Sequence, residues 1–177
     1  MRVADYIAQF IAGHPQTAKT VFIVAGGGSM HLIDAIGKNR MLEYVCNHHE
    51  QACAIAAEGY ARVSNKIGVA CVTSGPGGTN TITGVLGSWL DSMPMLIISG
   101  QVKFETTIAS QPELNLRQLG DQEINIIDIV RPITKYAVMI NDKNTIRYHL
   151  ERAVFEAKNS RPGPAMVGTG NGLTVTL

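Results

Sequence analysis

The sequence TSGPGGTN at residues 73–80 decides the fold, because it follows directly on an apolar strand, Ile67–Val72. A second segment, HHEQ at residues 48–51, follows the strand Leu42–Cys46 and opens an alanine-rich helix. In an open α/β sheet, ligands bind at the carboxyl ends of the strands. The sequence therefore predicts that one acid, Glu50, and one glycine-rich loop lie at the same edge of a single sheet.

Helical and strand patterns alternate on both sides of these segments. The predicted elements are, in order, a helix from Val3, strand Val21–Ala25, helix Met30–Ile36, strand Leu42–Cys46, helix Gln51–Val63, strand Ile67–Val72, helix Thr79–Leu90, strands Met95–Ser99 and Ile133–Ile140, a final helix capped by Asn141 or Asp142, and a last strand beginning at Ala165–Val167. This alternation predicts a doubly wound α/β fold, with a mostly parallel six-stranded sheet and helices on both faces. The polar stretch from Gln101 to Gly120 breaks the pattern and is predicted to be a long functional loop or flap.

The composition fits one globular domain of 177 residues, with 45% hydrophobic and 16% charged residues. A net charge of +1 without a long single-sign run does not favour nucleic acid or anionic membranes as partners. No stretch approaches the ~20 apolar residues that span a bilayer, so no membrane partner is expected. The three cysteines lie on predicted core elements, which indicates a reduced, cytoplasmic location.

Glu50 is the candidate acid, and two interpretations of it are open. A carboxylate at the start of a helix is often a surface residue that the helix dipole favours. The residues that follow it are small, however, and allow close packing on several sides: Ala52, Cys53, Ala54, Ala56 and Ala57. Burial favours the protonated carboxyl group, so a glutamate buried here would exchange a proton near neutral pH.

Two glycine segments follow predicted strands, and each is either a ligand contact or a tight turn. In residues 73–80 the glycines let a ligand approach the main chain, Pro76 stiffens the turn, and Asn80 can hydrogen-bond at the helix start. A phosphate cradle of the Walker type requires a lysine, which this loop lacks. GGG at residues 26–28 begins a dinucleotide pattern, but His31 stands where its last glycine is required.

A metal site is the remaining candidate among these local patterns. Cys46, His48, His49 and Cys53 are close in sequence, but their spacing matches no common zinc pattern. Cys46 and Cys53 also have apolar neighbours on a strand and a helix. We therefore predict no metal site in this chain.

Four further segments belong with HHEQ at 48–51 and TSGPGGTN at 73–80: AAEGYAR at 56–62, DSMP at 91–94, GQV at 100–102 and RPITK at 131–135. Together, these segments resemble the pyrimidine-binding domain of thiamine-diphosphate enzymes. The resemblance is strongest to the amino-terminal domain of acetolactate synthase and spans nearly the whole chain. It implies thiamine diphosphate as cofactor. It also implies the site residues: Glu50 and Gln101 as catalytic, and Gly26, Gly27, Glu50, Pro76 and Asn80 as cofactor-binding.

In such enzymes the glutamate hydrogen-bonds N1′ of the aminopyrimidine and favours the imino tautomer, which removes the C2 proton of the thiazolium. The implied reaction is decarboxylation of a 2-keto acid such as pyruvate, followed by carboligation to a second carbonyl compound. Gln101 matches a position that faces the reacting end.

Three departures from the family qualify the resemblance. Acetolactate synthases usually have Tyr-Pro-Gly-Gly where this chain has VAGG at 24–27, which puts the substrate in doubt; the second carbonyl could lie on something larger than pyruvate.

The Gly-Asp-Gly segment that holds Mg²⁺ and the diphosphate is absent, and so is the middle domain, so FAD is possible only in a full-length enzyme. The tail GTGNGLTVTL matches nothing in the family, so the pyrimidine-binding domain is predicted over residues 1–167, with 168–177 as an atypical tail.

The expected partners follow from the same resemblance. The chain is expected to form a homodimer, through the Glu50–Arg62 helix and the helix after Asn80, or to pair with a chain that carries the diphosphate-binding module. The alternatives are an inactive or truncated remnant that acts only as a binding or dimerisation module, half of a split 2-keto acid decarboxylase, and a nicotinamide-dependent Rossmann oxidoreductase.

Overall fold

A computed structural model describes residues 1–170 of the chain. Its helices are α1 (Val3–Gly13), α2 (Met30–Lys38), α3 (Glu50–Ser64), α4 (Pro76–Thr79), α5 (Ile82–Leu90), α6 (Ile126–Val130) and α7 (Ile146–Lys158). Its strands are β1 (Thr17–Ile23), β2 (Glu43–Cys46), β3 (Ile67–Val72), β4 (Met95–Gln101), β5 (Tyr136–Ile140) and β6 (Pro164–Gly170).

The six strands form one sheet in the order β2-β1-β3-β4-β6-β5, and every neighbouring pair is parallel. The predicted α/β fold is therefore confirmed. The chain leaves β1 to form the outer strand β2 and then crosses back to β3 on the other side of β1. The carboxyl ends of β1 and β3 thus form a switch point, where loops diverge and leave a crevice.

Helices cover both faces of the sheet, which explains why every residue of β3 is buried. Alternate residues of this strand enter two separate apolar clusters, as the two-residue period of a strand requires. Ile67, Val69 and Cys71 join a cluster that includes residues of α1, α2 and α7. Ala70 and Val72 join a second cluster, which includes residues of α3, α5 and α6.

The strand predicted at Val21–Ala25 begins four residues earlier, at Thr17. Its polar first half is accommodated because α1 ends beside it. The Thr17 hydroxyl donates to the Ile11 carbonyl at 2.7 Å, and the Lys19 ammonium donates to the carbonyls of Ile11 at 2.9 Å and His14 at 2.7 Å. The free carbonyls at the end of a helix thus satisfy side chains that would otherwise disfavour a buried strand.

Residues 102–125 form the segment that we call the flap. It carries three short 3-10 turns, at 104–106, 108–110 and 112–114, in agreement with the predicted irregular loop. α6, which was not predicted, follows directly. The helix predicted as Thr79–Leu90 is two helices, α4 and α5.

The predicted domain boundary at residue 167 needs correction, because β6 continues to Gly170. Gly168 pairs with Ser99 of β4 and with Met139 of β5, and Thr169 pairs with Gly100 and Ile140. Residues 168–170, assigned to the tail, therefore belong to the sheet. The rest of the predicted tail, residues 171–177, lies outside the described residues.

Across residues 1–170, every helix is too short or too polar to cross a membrane.

Candidate functional site

Glu50 is the first residue of α3, and the structure buries it at the switch point. The preceding residue caps the helix, since His49 Nδ1 accepts a hydrogen bond from the Gln51 backbone N–H at 3.2 Å. Only 9% of Glu50 is exposed, and its Oε2 accepts from the Asn80 Nδ2 at 3.0 Å. Its Oε1 has no hydrogen-bond partner within residues 1–170. The carboxylate is thus fixed through one oxygen and free to accept a hydrogen bond through the other.

Glycines allow the loop after β3 to lie close to Glu50. A Cβ on Gly77 would lie 3.5 Å from Glu50 Oε1 and 2.6 Å from Thr73 Cγ2. Gly75 has a φ of +55°, and a Cβ there would overlap the carbonyl oxygen of Gln122 in the flap. These two glycines are therefore required by the packing of the protein itself, which supports the tight-turn interpretation of residues 73–80.

Thr73 joins this loop to the glycine segment after β1, and the sequence analysis missed it. Its Oγ1 accepts from the Gly28 N–H at 3.0 Å, and a Cβ on Gly26 would lie 2.5 Å from its own Cβ. β4 closes the arrangement from the other side, because a Cβ on Gly100 would overlap the Gly28 carbonyl. The sequence holds no local signal for this role, since a threonine at the end of a strand is common.

The predicted cofactor residues thus fall into three groups. Glu50 and Asn80 are in direct contact. Gly26 packs against Thr73. Gly27 and Pro76 are exposed, and a Cβ on Gly27 would meet nothing within 4 Å. The open side of the site therefore lies over Gly27, with the free oxygen of Glu50 and the exposed ring of Pro76 as the other accessible groups.

Gln101 lies on the flap side of the sheet edge. It is only 6% exposed; its Nε2 donates to the Ile124 carbonyl at 3.3 Å and its Oε1 accepts from the Val102 N–H at 2.9 Å. Both polar atoms of this side chain therefore help to hold the two ends of the flap. Gln101 also lines a cavity of about 540 Å³ between the flap and the ends of β4, β5 and β6.

The buried thiols near the site are not poised for catalysis. Burial raises the pKa of Cys53, which also accepts from Asn47 Nδ2 at 3.3 Å, and burial raises the pKa of Cys71 to about 12. Both thiols therefore stay protonated and unreactive at neutral pH. Within residues 1–170, no group of three or more His, Cys, Asp or Glu side chains is arranged to hold a metal ion.

Residues 1–126 match the family model described as "Thiamine pyrophosphate enzyme, N-terminal TPP binding domain". The chain belongs to this family. The resemblance seen in the sequence is thereby confirmed.

Relatives of this thiamine pyrophosphate enzyme domain are acetolactate synthases. It is 40% identical to the acetolactate synthase large subunit of Haemophilus influenzae over 147 residues, covering 83% of this chain and 24% of that protein. It is 38% identical to the chloroplastic acetolactate synthase of Arabidopsis thaliana, covering 86% and 21%. It is 35% identical to the acetolactate synthase isozyme 3 large subunit of Escherichia coli, covering 86% and 25%. The chain therefore spans about a fifth to a quarter of the length of these relatives.

The donor set at the site fits one part of the cofactor. A buried carboxylate with one free oxygen suits a nitrogen heterocycle that donates and accepts hydrogen bonds. The segments 26–28, 48–50 and 73–80 contain no lysine or arginine that could pair with a diphosphate. The residues present therefore fit the aminopyrimidine ring of thiamine diphosphate, and its diphosphate needs other residues.

Proposed function

We propose that this chain is the pyrimidine-binding half of an acetolactate-synthase-like enzyme. Such an enzyme decarboxylates a 2-keto acid, such as pyruvate, and joins the product to a second carbonyl compound. Bound thiamine diphosphate supplies the stabilised carbanion that this chemistry needs. The relatives support the proposal by their names, and this chain covers 21–25% of their length in the comparisons above.

The observation that carries the proposal is the arrangement of Glu50. Asn80 holds one carboxylate oxygen at 3.0 Å, and the other is free at the mouth of the crevice. In this role Glu50 holds a proton at the aminopyrimidine ring, and Asn80 fixes the orientation of the carboxylate. Gly27 leaves space for the ring, Gly26 lets the segment pack against Thr73 beside it, Pro76 closes the loop, and Gln101 stands next to the reacting end.

The partners in this proposal follow from what the site lacks. Mg²⁺ and the diphosphate would be held by a module on a second copy or on a partner chain, and FAD would belong only to a longer enzyme. A homodimer would use α3 and α5, whose outer faces expose Ile55, Leu86 and Leu90. These two helices also pack on each other, since a Cβ on Gly84 would lie 2.6 Å from that of Ala54. The small residues at that contact therefore serve the monomer as well.

The proposed domain runs from residue 1 to the end of β6. Its three cysteines are unpaired in the structure, which agrees with a cytoplasmic location.

Titration with thiamine, thiamine diphosphate and NAD tests the proposal. Because only ring contacts lie on this chain, we expect thiamine and thiamine diphosphate to bind weakly and with similar affinity, and NAD not to bind. Glu50→Ala should abolish thiamine binding without unfolding the chain. Glu113→Ala is the matched control, because Glu113 is exposed in the flap. NAD binding, or thiamine binding that is unchanged in Glu50→Ala, would contradict the proposal.

One alternative is a remnant that only binds or dimerises. We expect the purified chain, with thiamine diphosphate and Mg²⁺, to consume no pyruvate, because the diphosphate ligands are on a module outside it. A remnant would in addition fail to bind thiamine while still forming a dimer in sedimentation experiments. Thiamine binding therefore separates the two interpretations.

A further inference from the structure

The cavity beneath the flap is a second candidate site, separate from the carboxylate of Glu50. Its volume of about 540 Å³ lies within the range of small-molecule pockets. The flap is held over it by Glu123, whose Oε1 accepts from the Ile108 N–H at 2.8 Å and whose Oε2 accepts from the N–H groups of Leu119 and Gly120 at 3.2 and 3.1 Å. The flap is thus held beside the cavity by its own internal hydrogen bonds.

Three side-chain amides on the wall of this cavity have no hydrogen-bond partner within residues 1–170: Gln111, Asn115 and Asn141. Each amide both donates and accepts, so each can pair with a hydroxyl or a carbonyl group. Phe104 and Leu116 supply exposed apolar surface to the same wall, at 39% and 42% exposure. The wall thus combines free neutral polar groups with an apolar face.

The charge of the lining limits the ligand further. None of the described lining residues is a lysine, arginine or histidine, whereas Glu105 and Glu123 both belong to the lining. An anionic ligand would lose its hydration without gaining a cationic partner, and it would approach two carboxylates. A second 2-keto acid is therefore a poor occupant.

We propose that the flap cavity binds an uncharged, polyhydroxylated ligand, with hydroxyl groups toward Gln111, Asn115 and Asn141 and C–H surface toward Phe104 and Leu116. A monosaccharide has this chemistry. The cavity also adjoins the switch-point site, because Gln101 lines it and the Gln122 carbonyl of the flap packs against Gly75. The role of this ligand as the second carbonyl compound rests on the proposed function, but its binding does not.

Binding is measured by amide NMR of the ¹⁵N-labelled chain, which resolves the side-chain NH₂ groups of asparagine and glutamine. The probes are three matched pairs: glucose with glucuronate, galactose with galacturonate, and mannose with mannuronate. We expect at least one neutral sugar to shift the side-chain amides of Gln111, Asn115 and Asn141, and its uronate to bind about tenfold more weakly. No thiamine compound is added, so failure of this experiment is distinct from failure of the proposed function.

Two variants sharpen the test. Gln111→Leu should remove the shifts at the remaining cavity amides, whereas Gln16→Leu, at an exposed glutamine before β1, should leave them unchanged. Gln111→Lys should reverse the preference within a pair, because it places a cation on the wall. The proposal is overturned if no neutral sugar shifts the cavity amides at its highest soluble concentration, if the uronates bind as tightly as the sugars, or if the shifts persist in Gln111→Leu.

Discussion

The two halves of the carboxyl edge of the sheet differ in how they use glycine and side-chain amides. At the switch point between β1 and β3 the chain is packed closely: a Cβ on Gly26 or Gly77 would collide with the Thr73 side chain, and a Cβ on Gly100 would collide with the Gly28 carbonyl. Under the flap, beyond β4, β6 and β5, side chains stand apart and leave a cavity of about 540 Å³. The switch-point half is closely packed and holds one acid, Glu50. The flap half holds three side-chain amides that have no hydrogen-bond partner within residues 1–170: Gln111, Asn115 and Asn141. Rigid placement suits proton transfer, and a roomier amide-lined wall suits selection of a ligand.

The largest effect is expected where the two halves meet, at Gly75. Gly75→Ala must accept a φ of +55° and an overlap with the Gln122 carbonyl, so we expect a loss of about 3 kcal/mol or more from the free energy of unfolding. Gly27→Ala is the control, since its new methyl group would meet nothing within 4 Å and should change stability by less than about 0.5 kcal/mol. Urea unfolding of both variants measures the difference. Equal stabilities would show that the loop is not held as described.

The carboxylate of Glu123 accepts three hydrogen bonds within the flap. Removing its charge should affect the flap half of the sheet edge and not the switch-point half. Glu123→Gln keeps the size of the side chain but weakens three backbone hydrogen bonds to a charged acceptor, at Ile108, Leu119 and Gly120. We expect local opening of the flap to become easier by about 2 kcal/mol. Hydrogen exchange at these three amides reports the opening, with Glu113→Gln as the matched control. Unchanged exchange would mean that other contacts hold the flap.

Substitutions of Thr73 test the switch-point half in the same way. Thr73→Val keeps the methyl contact with Gly77 but removes the acceptor for the Gly28 N–H, for an expected cost of about 1 kcal/mol. Exchange of the Gly28 amide should accelerate, and Thr73→Ser should restore its protection. If exchange at Gly28 is the same in the Val and Ser variants, the hydroxyl group does not hold the glycine segment.

The smallest effect concerns pH and lies outside both halves, on α7. Burial lowers the pKa of His149 from 6.5, with a smaller contribution from the charge of Arg152, and its neutral Nδ1 lies 2.6 Å from the Tyr136 hydroxyl. Below pH 6.5 the unfolded chain therefore binds a proton that the folded chain does not, and stability falls. His149→Gln should reduce this loss below about pH 6.5. Urea unfolding at several pH values measures it, and an identical slope in the variant would exclude His149 as a source.

How much of the fold the sequence predicts depends on the range of the interactions involved. The strand Ile67–Val72 is predicted to the residue because its burial is continuous and a glycine loop ends it. The start of β1 is misplaced because Thr17 and Lys19 are satisfied by carbonyls of α1, a tertiary contact that no local pattern shows. α6 is missed for a similar reason: it is one short turn, packed under the flap beside Gly78.

The candidate site divides in the same way. Glu50 and Asn80 are found from the sequence, since Glu50 opens a helix after one strand and Asn80 ends the glycine-rich segment after the next, and the structure brings them within 3.0 Å. Thr73 is not found, because its role depends on a glycine segment 45 residues away in the chain. The cavity is not found either, because its wall is built from three separate parts of the chain: the end of β4 with the flap, the end of β5, and the end of β6.

The central claim is that the free oxygen of Glu50 controls a proton on the pyrimidine ring of the cofactor. The most direct test is the rate of C2 proton exchange of bound thiamine diphosphate, followed by NMR in the full-length enzyme or in this chain combined with the diphosphate-holding module. Glu50→Gln keeps a hydrogen-bonding side chain but cannot support the proton shift, so we expect exchange to slow by about 10²–10⁴-fold, with Glu113→Gln unchanged. Exchange at the wild-type rate in Glu50→Gln, with the cofactor fully bound, would contradict the account.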